Sequence, residues 1–223
     1  MVNTLEQGIE KEIQVKSVDR VRDHGEVLTA RREVEAMLDL VKNESERIDS
    51  RFLEPACGDG NFLVAILERK LKIVASRYKS KKADFEVNLL SALASIYGID
   101  LLEDNIELAI NRLFDIACKF YKDSLRVQPD DEFKKIMQFI LKKNILQGDS
   151  LNGIDKITFT QWSLVGYQFK REEYSFPQLN QQAEILDSPL FKAYANEHGD
   201  DIFIPQPIKE YPLTYYRNLG GLE

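Results

Sequence analysis

From Arg31 onward the chain alternates between apolar positions at helical spacing and short apolar runs that end in an acid. Val34, Met37, Leu38 and Val41 fall at i, i+3, i+4 and i+7, which predicts an amphipathic helix with those side chains inward. A short run at 51–54 predicts the first core strand. The next helix spans 60–77, with Phe62, Leu63, Ile66, Leu67, Ile73 and Val74 roughly on one face. The basic run Lys79-Ser80-Lys81-Lys82 suits the negative end of its dipole. A further helix covers 83–95, with Leu89, Leu90, Leu93 and Ala94 inward. Strand 96–100 leads to a helix at 103–121 that turns Ile106, Ile110, Leu113, Ala117 and Phe120 inward. Pro129, Asp130 and Asp131 open a helix carrying Phe133, Ile136, Met137, Ile140 and Leu141. Strand 144–148 then delivers Asp149. Sequential β-α-β units predict an α/β fold with a parallel sheet and right-handed crossovers.

The two ends read differently. Residues 3–22 are charged, with scattered Leu5, Ile9, Ile13, Val18 and Val21, and predict an amphipathic helix. After 155 the run Ile157-Thr158-Phe159-Thr160-Gln161-Trp162 alternates like a strand, and Gly166 turns it toward Tyr167–Arg171. A half-buried hairpin is the plain reading. The alternative is that aromatics beside Lys170 and Arg171 stack nucleic-acid bases. From Phe176 the chain is rich in Pro and Tyr and predicts an irregular, extended tail. The organisation is a helical extension at 1–30, a sheet-and-helix domain at 31–155, and a hairpin with tail at 156–223.

Apolar residues make up 43% of the 223 positions, enough for a core, and charged residues at 30% are below what marks a disordered chain. Cys57 and Cys118 make no disulfide framework, which predicts a reducing, cytoplasmic setting. With His24 and His198 they show no metal-ligand spacing. No apolar run is long enough for a membrane span, and Met1–Glu6 lacks the basic and apolar regions of a signal peptide. A net charge of −7 makes a poor autonomous DNA binder, since such binding is largely phosphate neutralisation. Arg31-Arg32, Lys79–Lys82 and Lys142-Lys143 are the candidates for a local DNA-binding patch, and the plainer reading of each is a solvated helix face or end.

The candidate chemistry sits at 53–62, Leu-Glu-Pro-Ala-Cys-Gly-Asp-Gly-Asn-Phe. A strand ends at Glu54-Pro55, Gly58 and Gly60 make a tight turn, and Asn61 and Phe62 open a helix. Glycine lets backbone N–H groups approach a ligand where a Cβ would collide. The dinucleotide fingerprint fits poorly: Leu63 stands at its third glycine, and the next strand-end acid, Asp100, comes much farther on than about 20 positions. Ligands of open α/β sheets sit outside the carboxyl ends of strands. Glu54, Asp100 and Asp149 would therefore share one crevice, as acceptors for a diol or an amine. The plainer reading is that they cap the helices that follow. Cys57 reads as a small packing residue within the loop.

The 53–62 stretch resembles motif I of the S-adenosylmethionine-dependent DNA methyltransferases that modify adenine N6. Three further segments match that family in its order: His24–Thr29, which resembles the segment reaching over the cofactor; Ile96–Asp100, which resembles motif II; and Asn144–Ser150, which resembles motif III. The resemblance covers roughly residues 20–155. It implies a Rossmann-like class I methyltransferase core with S-adenosylmethionine as cofactor. Carried over position by position, it implies cofactor contacts by Glu26, Thr29, Glu54, Ala56, Gly58, Gly60, Asn61, Phe62, Asp100, Leu101, Asp149 and Ser150. Asp100 would take the ribose hydroxyls and Asp149 the adenine amine.

The family's catalytic motif, Asn or Asp followed by Pro-Pro and an aromatic, is missing: no two of the seven prolines are adjacent. Thr29-Ala30 replaces the family's usual Thr-Pro, and too few strands follow residue 150 for a complete sheet. No catalytic residue is assigned. The resemblance then implies an adenine-specific DNA methyltransferase-like component of a restriction-modification or phage-defence system. A second methyltransferase or restriction subunit would supply catalysis and reach DNA. The alternative is an inactive methyltransferase-fold protein that binds cofactor or scaffolds an assembly. A methyltransferase acting on a small molecule, protein or RNA is the third class.

Overall fold

The computed structural model describes residues 29–153, 156–175 and 206–221. The expected helix at 3–22, Glu26 and most of the Pro- and Tyr-rich tail lie outside these residues.

Three parallel strands form the centre: β1 (Phe52–Glu54), β2 (Ile96–Asp100) and β3 (Ile145–Gln147), in the order β1-β2-β3. The register pairs Glu54 with Gly98 and Asp100 with Gln147. Helices α1 (Arg31–Leu40) and α2 (Lys42–Ser45) precede β1. Helices α3 (Asn61–Tyr78) and α4 (Lys82–Ala94) connect β1 to β2, and α5 (Glu103–Leu125) and α6 (Asp131–Asn144) connect β2 to β3. This α/β order is compatible with a Rossmann-like fold. Among the described residues, no helix is long and apolar enough to cross a membrane.

Alternation along β2 divides the core in two. On the helix side, the backbone of Gly98 lies against the α3 layer. A Cβ there would stand 2.7 Å from Leu63 Cδ1 and 3.0 Å from Cys57 Sγ. Gly98→Val is therefore expected to cost about 1–3 kcal/mol through overpacking, read as a lower thermal midpoint. On the other side, Tyr97 and Ile99 meet Ile157 and Phe159, and the Tyr97 hydroxyl donates to the Thr160 carbonyl at 2.9 Å.

Helices form where the periodicity predicts them, but some positions expected inward, among them Phe62, Ile73 and Ile110, are only partly buried. In α6 the Asp130 side chain accepts from the Phe133 amide, and Phe133, Ile136, Met137, Ile140 and Leu141 are all buried. In α4 the four expected side chains are buried. In α1 only Val34 and Leu38 are buried; Met37 and Val41 are 52% and 45% exposed, because α1 rests on α3 along a narrow seam. Helix α5 runs past its expected end to Leu125, and Tyr121 is fully buried where Phe120 is half-buried. Asn144 closes α6 instead of opening β3. Its side-chain amide donates to the carbonyls of Leu93 and Ile96, and its oxygen accepts from the Trp162 indole at 2.9 Å.

Two charges are buried in the helical layer. Lys70 on α3 donates to the carbonyls of Arg47, Ile48 and Ser50 and to Ser95 Oγ. Burial pulls its pKa down to about 7. Glu86 on α4, 1% exposed, accepts from the Tyr121 hydroxyl at 2.7 Å, the Tyr216 hydroxyl at 2.8 Å, and the Arg217 guanidinium.

The hairpin is present as β4 (Thr158–Val165) and β5 (Gln168–Ser175), turning at Gly166 with φ +61°. Phe169 and Arg171 are buried within it, 1% and 2% exposed, so they are closed to base stacking. Residues 206–221 depart from the irregular tail expected. They add β6 (Lys209–Glu210) and β7 (Thr214–Tyr215) to β5 and end in a 3-10 helix, Tyr216–Gly221, packed on α6. The strands are two residues each, too short to leave a pattern in the sequence.

Candidate functional site

The carboxyl ends of the three strands open into a crevice of about 470 Å³. That size lies within the usual range for small-molecule sites. The turn after β1 builds its floor. The Cys57 amide donates to the Ile99 carbonyl at 2.9 Å, tying the turn to β2, and the Gly60 amide donates to the Cys57 carbonyl at 2.8 Å. Gly58 and Gly60 have φ of +52° and +87°, the left-handed region that glycine enters without strain. Gly60 is the N-cap of α3.

Ten of the expected site residues line this crevice: Thr29, Glu54, Ala56, Gly58, Asn61, Phe62, Asp100, Leu101, Asp149 and Ser150. Gly60 does not. It faces α5, where a Cβ would stand 3.1 Å from Ala109 Cβ, so its role is to let α3 and α5 approach. Glu26 lies outside the described residues.

The acids carry more internal work than the pattern suggested. Asp100 Oδ2 accepts from the Gly58 amide at 2.8 Å. Its Oδ1 accepts from the Leu102 amide at 2.9 Å and from Asn105 Nδ2 at 3.1 Å. It thus holds the glycine turn and the start of α5 together. Asp149 Oδ1 accepts from the Leu151 and Asn152 amides, each at 2.9 Å, and Oδ2 from Asn152 Nδ2 at 3.3 Å. Those bonds hold its carboxyl below the usual range. Neither acid is a helix N-cap: Leu102 holds that position before α5, and Asp149 is followed by a turn and then a strand, so both brace their own loops while lining the crevice. A carboxylate offers about four acceptor positions, so each keeps capacity for a ligand. Burial pushes the Glu54 carboxyl up, partly offset by the Ala56 amide.

Sequence reasoning missed several wall residues. Met37 belongs here rather than in the core, joined by Asp59, Leu102, Asn105 and Leu151. It also missed Arg112 on α5, which clamps the turn. Its guanidinium donates to the Asp59 carbonyl at 2.7 Å and Asn61 Oδ1 at 2.8 Å, and pairs with Asp59 Oδ2 at 2.9 Å. The other Asp59 oxygen is buried without a partner.

Cys57 is a packing residue, 6% exposed. Burial, with Asp100 and Glu54 nearby, pushes its thiol up to about 12. In the folded protein, iodoacetamide is expected to modify Cys118 first and leave Cys57 intact, as peptide mass spectrometry would show.

Four carboxylates line the crevice, those of Glu54, Asp59, Asp100 and Asp149, and no Lys, Arg or His joins them among the described residues. No three His, Cys, Asp or Glu side chains among those residues converge as a metal site requires. An acidic wall disfavours the pyrophosphate of a dinucleotide and favours a cationic or neutral ligand. Phe62, Met37, Leu101 and Leu102 supply apolar surface beside the acids. Comparison with family models, with curated proteins and with solved structures found no match to this chain.

Proposed function

We propose that this chain binds S-adenosylmethionine in the crevice and serves as the cofactor-holding component of an adenine-N6 DNA methyltransferase-like assembly. The acidic lining carries this reading. S-adenosylmethionine bears a sulfonium and an ammonium against one carboxylate, so it is a net cation. It also offers a ribose diol, an adenine amine and an apolar ring. Glu54, Asp100 and Asp149 provide acceptors for the polar groups, the turn at Gly58 admits close backbone approach, and Phe62 and Leu101 provide an apolar surface for the ring. The sequence resemblance supports the same cofactor and the DNA acceptor. A partner polypeptide supplies the base-holding groups that the Pro-Pro-aromatic motif would otherwise provide. The setting is the cytoplasm, in a restriction-modification or phage-defence system.

Calorimetric titration with S-adenosylmethionine is expected to show one saturable site, and NAD none. Labelled methyl transfer to DNA is expected only when the partner is added. Binding without transfer under every pairing would favour a second reading, a non-catalytic cofactor holder or scaffold. The absence of a Pro-Pro-aromatic motif from the sequence favours that alternative. No saturable binding of S-adenosylmethionine would overturn the proposal and the cofactor-holder reading, leaving only a scaffold.

A further inference from the structure

At the opposite end of the sheet, where β1 and β2 begin, lies a second cleft of about 500 Å³. The turn before β1, the C-terminal parts of α3 and α4, and the hairpin form its walls. Arg47, Arg51 and Arg77 line it, against one carboxylate, that of Asp49. Arg47 pairs with Glu44 at 3.5 Å and Asp49 at 3.2 Å. Arg51 donates to the Gln161 side-chain oxygen at 3.3 Å. Neither Arg51 nor Arg77 has a carboxylate partner among the described residues. By contrast Arg31, Arg69, Arg112 and Arg217 each face one.

Lys70 Nζ stands behind the wall, bonded to the carbonyls of Arg47, Ile48 and Ser50 and to Ser95 Oγ. Burial pulls its pKa down to about 7, so the lasting positive charge of the cleft is that of its arginines. The cleft is thus a locally positive concavity in a chain whose net charge is −7. Guanidinium groups match phosphate oxygens in planar, two-point hydrogen bonds. The Asn88 and Ser163 side chains add uncharged polar groups beside them.

We propose that this cleft binds the phosphate backbone of a nucleic-acid strand, with Arg51 and Arg77 as its principal contacts. It lies at the far end of the strands from the acidic crevice. A strand held here would be anchored away from the cofactor ends of β1–β3, and binding here does not require that the crevice hold any ligand.

Trp162, the chain's single tryptophan, lines the cleft and reports on its filling by fluorescence. The probe is an oligonucleotide of about 12 residues, single-stranded and as a duplex, titrated at about 50 and 200 mM salt. Wild-type affinity is expected to fall with salt, with a log–log slope near −1.4 for the single strand if two phosphates are neutralised. The exposed pair Arg51→Ser with Arg77→Ser should weaken binding at least about tenfold and flatten most of that slope. Circular dichroism would confirm the fold. Lys119→Ser with Lys122→Ser, exposed on α5 and outside the cleft lining, should leave both unchanged. The proposal is overturned if neither oligonucleotide binds at the lower salt, or if the double arginine variant binds as well as wild type. It is also overturned if inorganic pyrophosphate binds as tightly as the strand, which would make the cleft a site for free phosphates.

Discussion

Glu86→Ala is expected to cost about 3–5 kcal/mol of folding free energy, the usual penalty for removing one partner of a buried ion pair. Glu86 is 1% exposed and joins three elements. Tyr121 of α5 and Tyr216 and Arg217 of the 3-10 helix all donate to its carboxylate. Without it, two buried hydroxyls and a guanidinium lose their acceptor. Arg217 keeps Asp130, whose two oxygens each lie 2.9 Å from Nη1, but Asp130 is half exposed and a weaker anchor. Urea unfolding should show the midpoint falling by more than about 1 M, given slopes of about 1–3 kcal/mol per M. Glu86→Gln keeps an acceptor and the shape, and should lose less. A midpoint unchanged in Glu86→Ala would mean that the 3-10 helix contributes nothing to the cooperative unit.

The second large effect is at Asp100. Asp100→Ala removes the acceptor for the Gly58 and Leu102 amides and for Asn105. Hydrogen bonds to a charged group contribute about 1.5–3 kcal/mol. Affinity for S-adenosylmethionine is expected to fall at least about tenfold, partly through lost contact and partly through a loosened glycine turn. Asp100→Asn should not rescue it. Its amide would have to aim an NH₂ at one of two backbone N–H donors that now share the carboxylate. Calorimetry on protein shown to be folded by circular dichroism is the measurement. Unchanged affinity in folded Asp100→Ala would take this side chain out of the site.

Elements whose evidence is local could be read from the chain. Strand Ile96–Asp100 matches its expected bounds, and α6 shows the Asp130 cap and all five expected apolar positions inward. The crevice was also legible, because a glycine turn and strand-end acids are written in consecutive residues. What the pattern could not give was which partner each group would find. Met37 sits at helical spacing with Val34 and Leu38 yet faces the crevice, since the width of the buried seam depends on how α1 lies on α3. Asp100 was found, but its bond to Gly58 depends on the shape of the turn. Arg112 was missed because it reads as an ordinary polar position on α5. Glu86 stands in a largely apolar helix, and nothing near it in sequence announces Tyr216 or Arg217.

That separation has a consequence for how the protein is made. Glu86 and Arg217 are 131 residues apart. At a ribosomal rate of roughly 5–20 residues per second, the carboxylate emerges roughly 7–26 s before its guanidinium. During that interval the nascent helices can gather, but the anion at their centre has only Tyr121 and the half-exposed Lys82, 3.7 Å away, to receive it. Closing the layer around Glu86 is therefore expected to be a late step that waits for Tyr216 and Arg217 to emerge, and the period before it is when the growing chain would most need a chaperone.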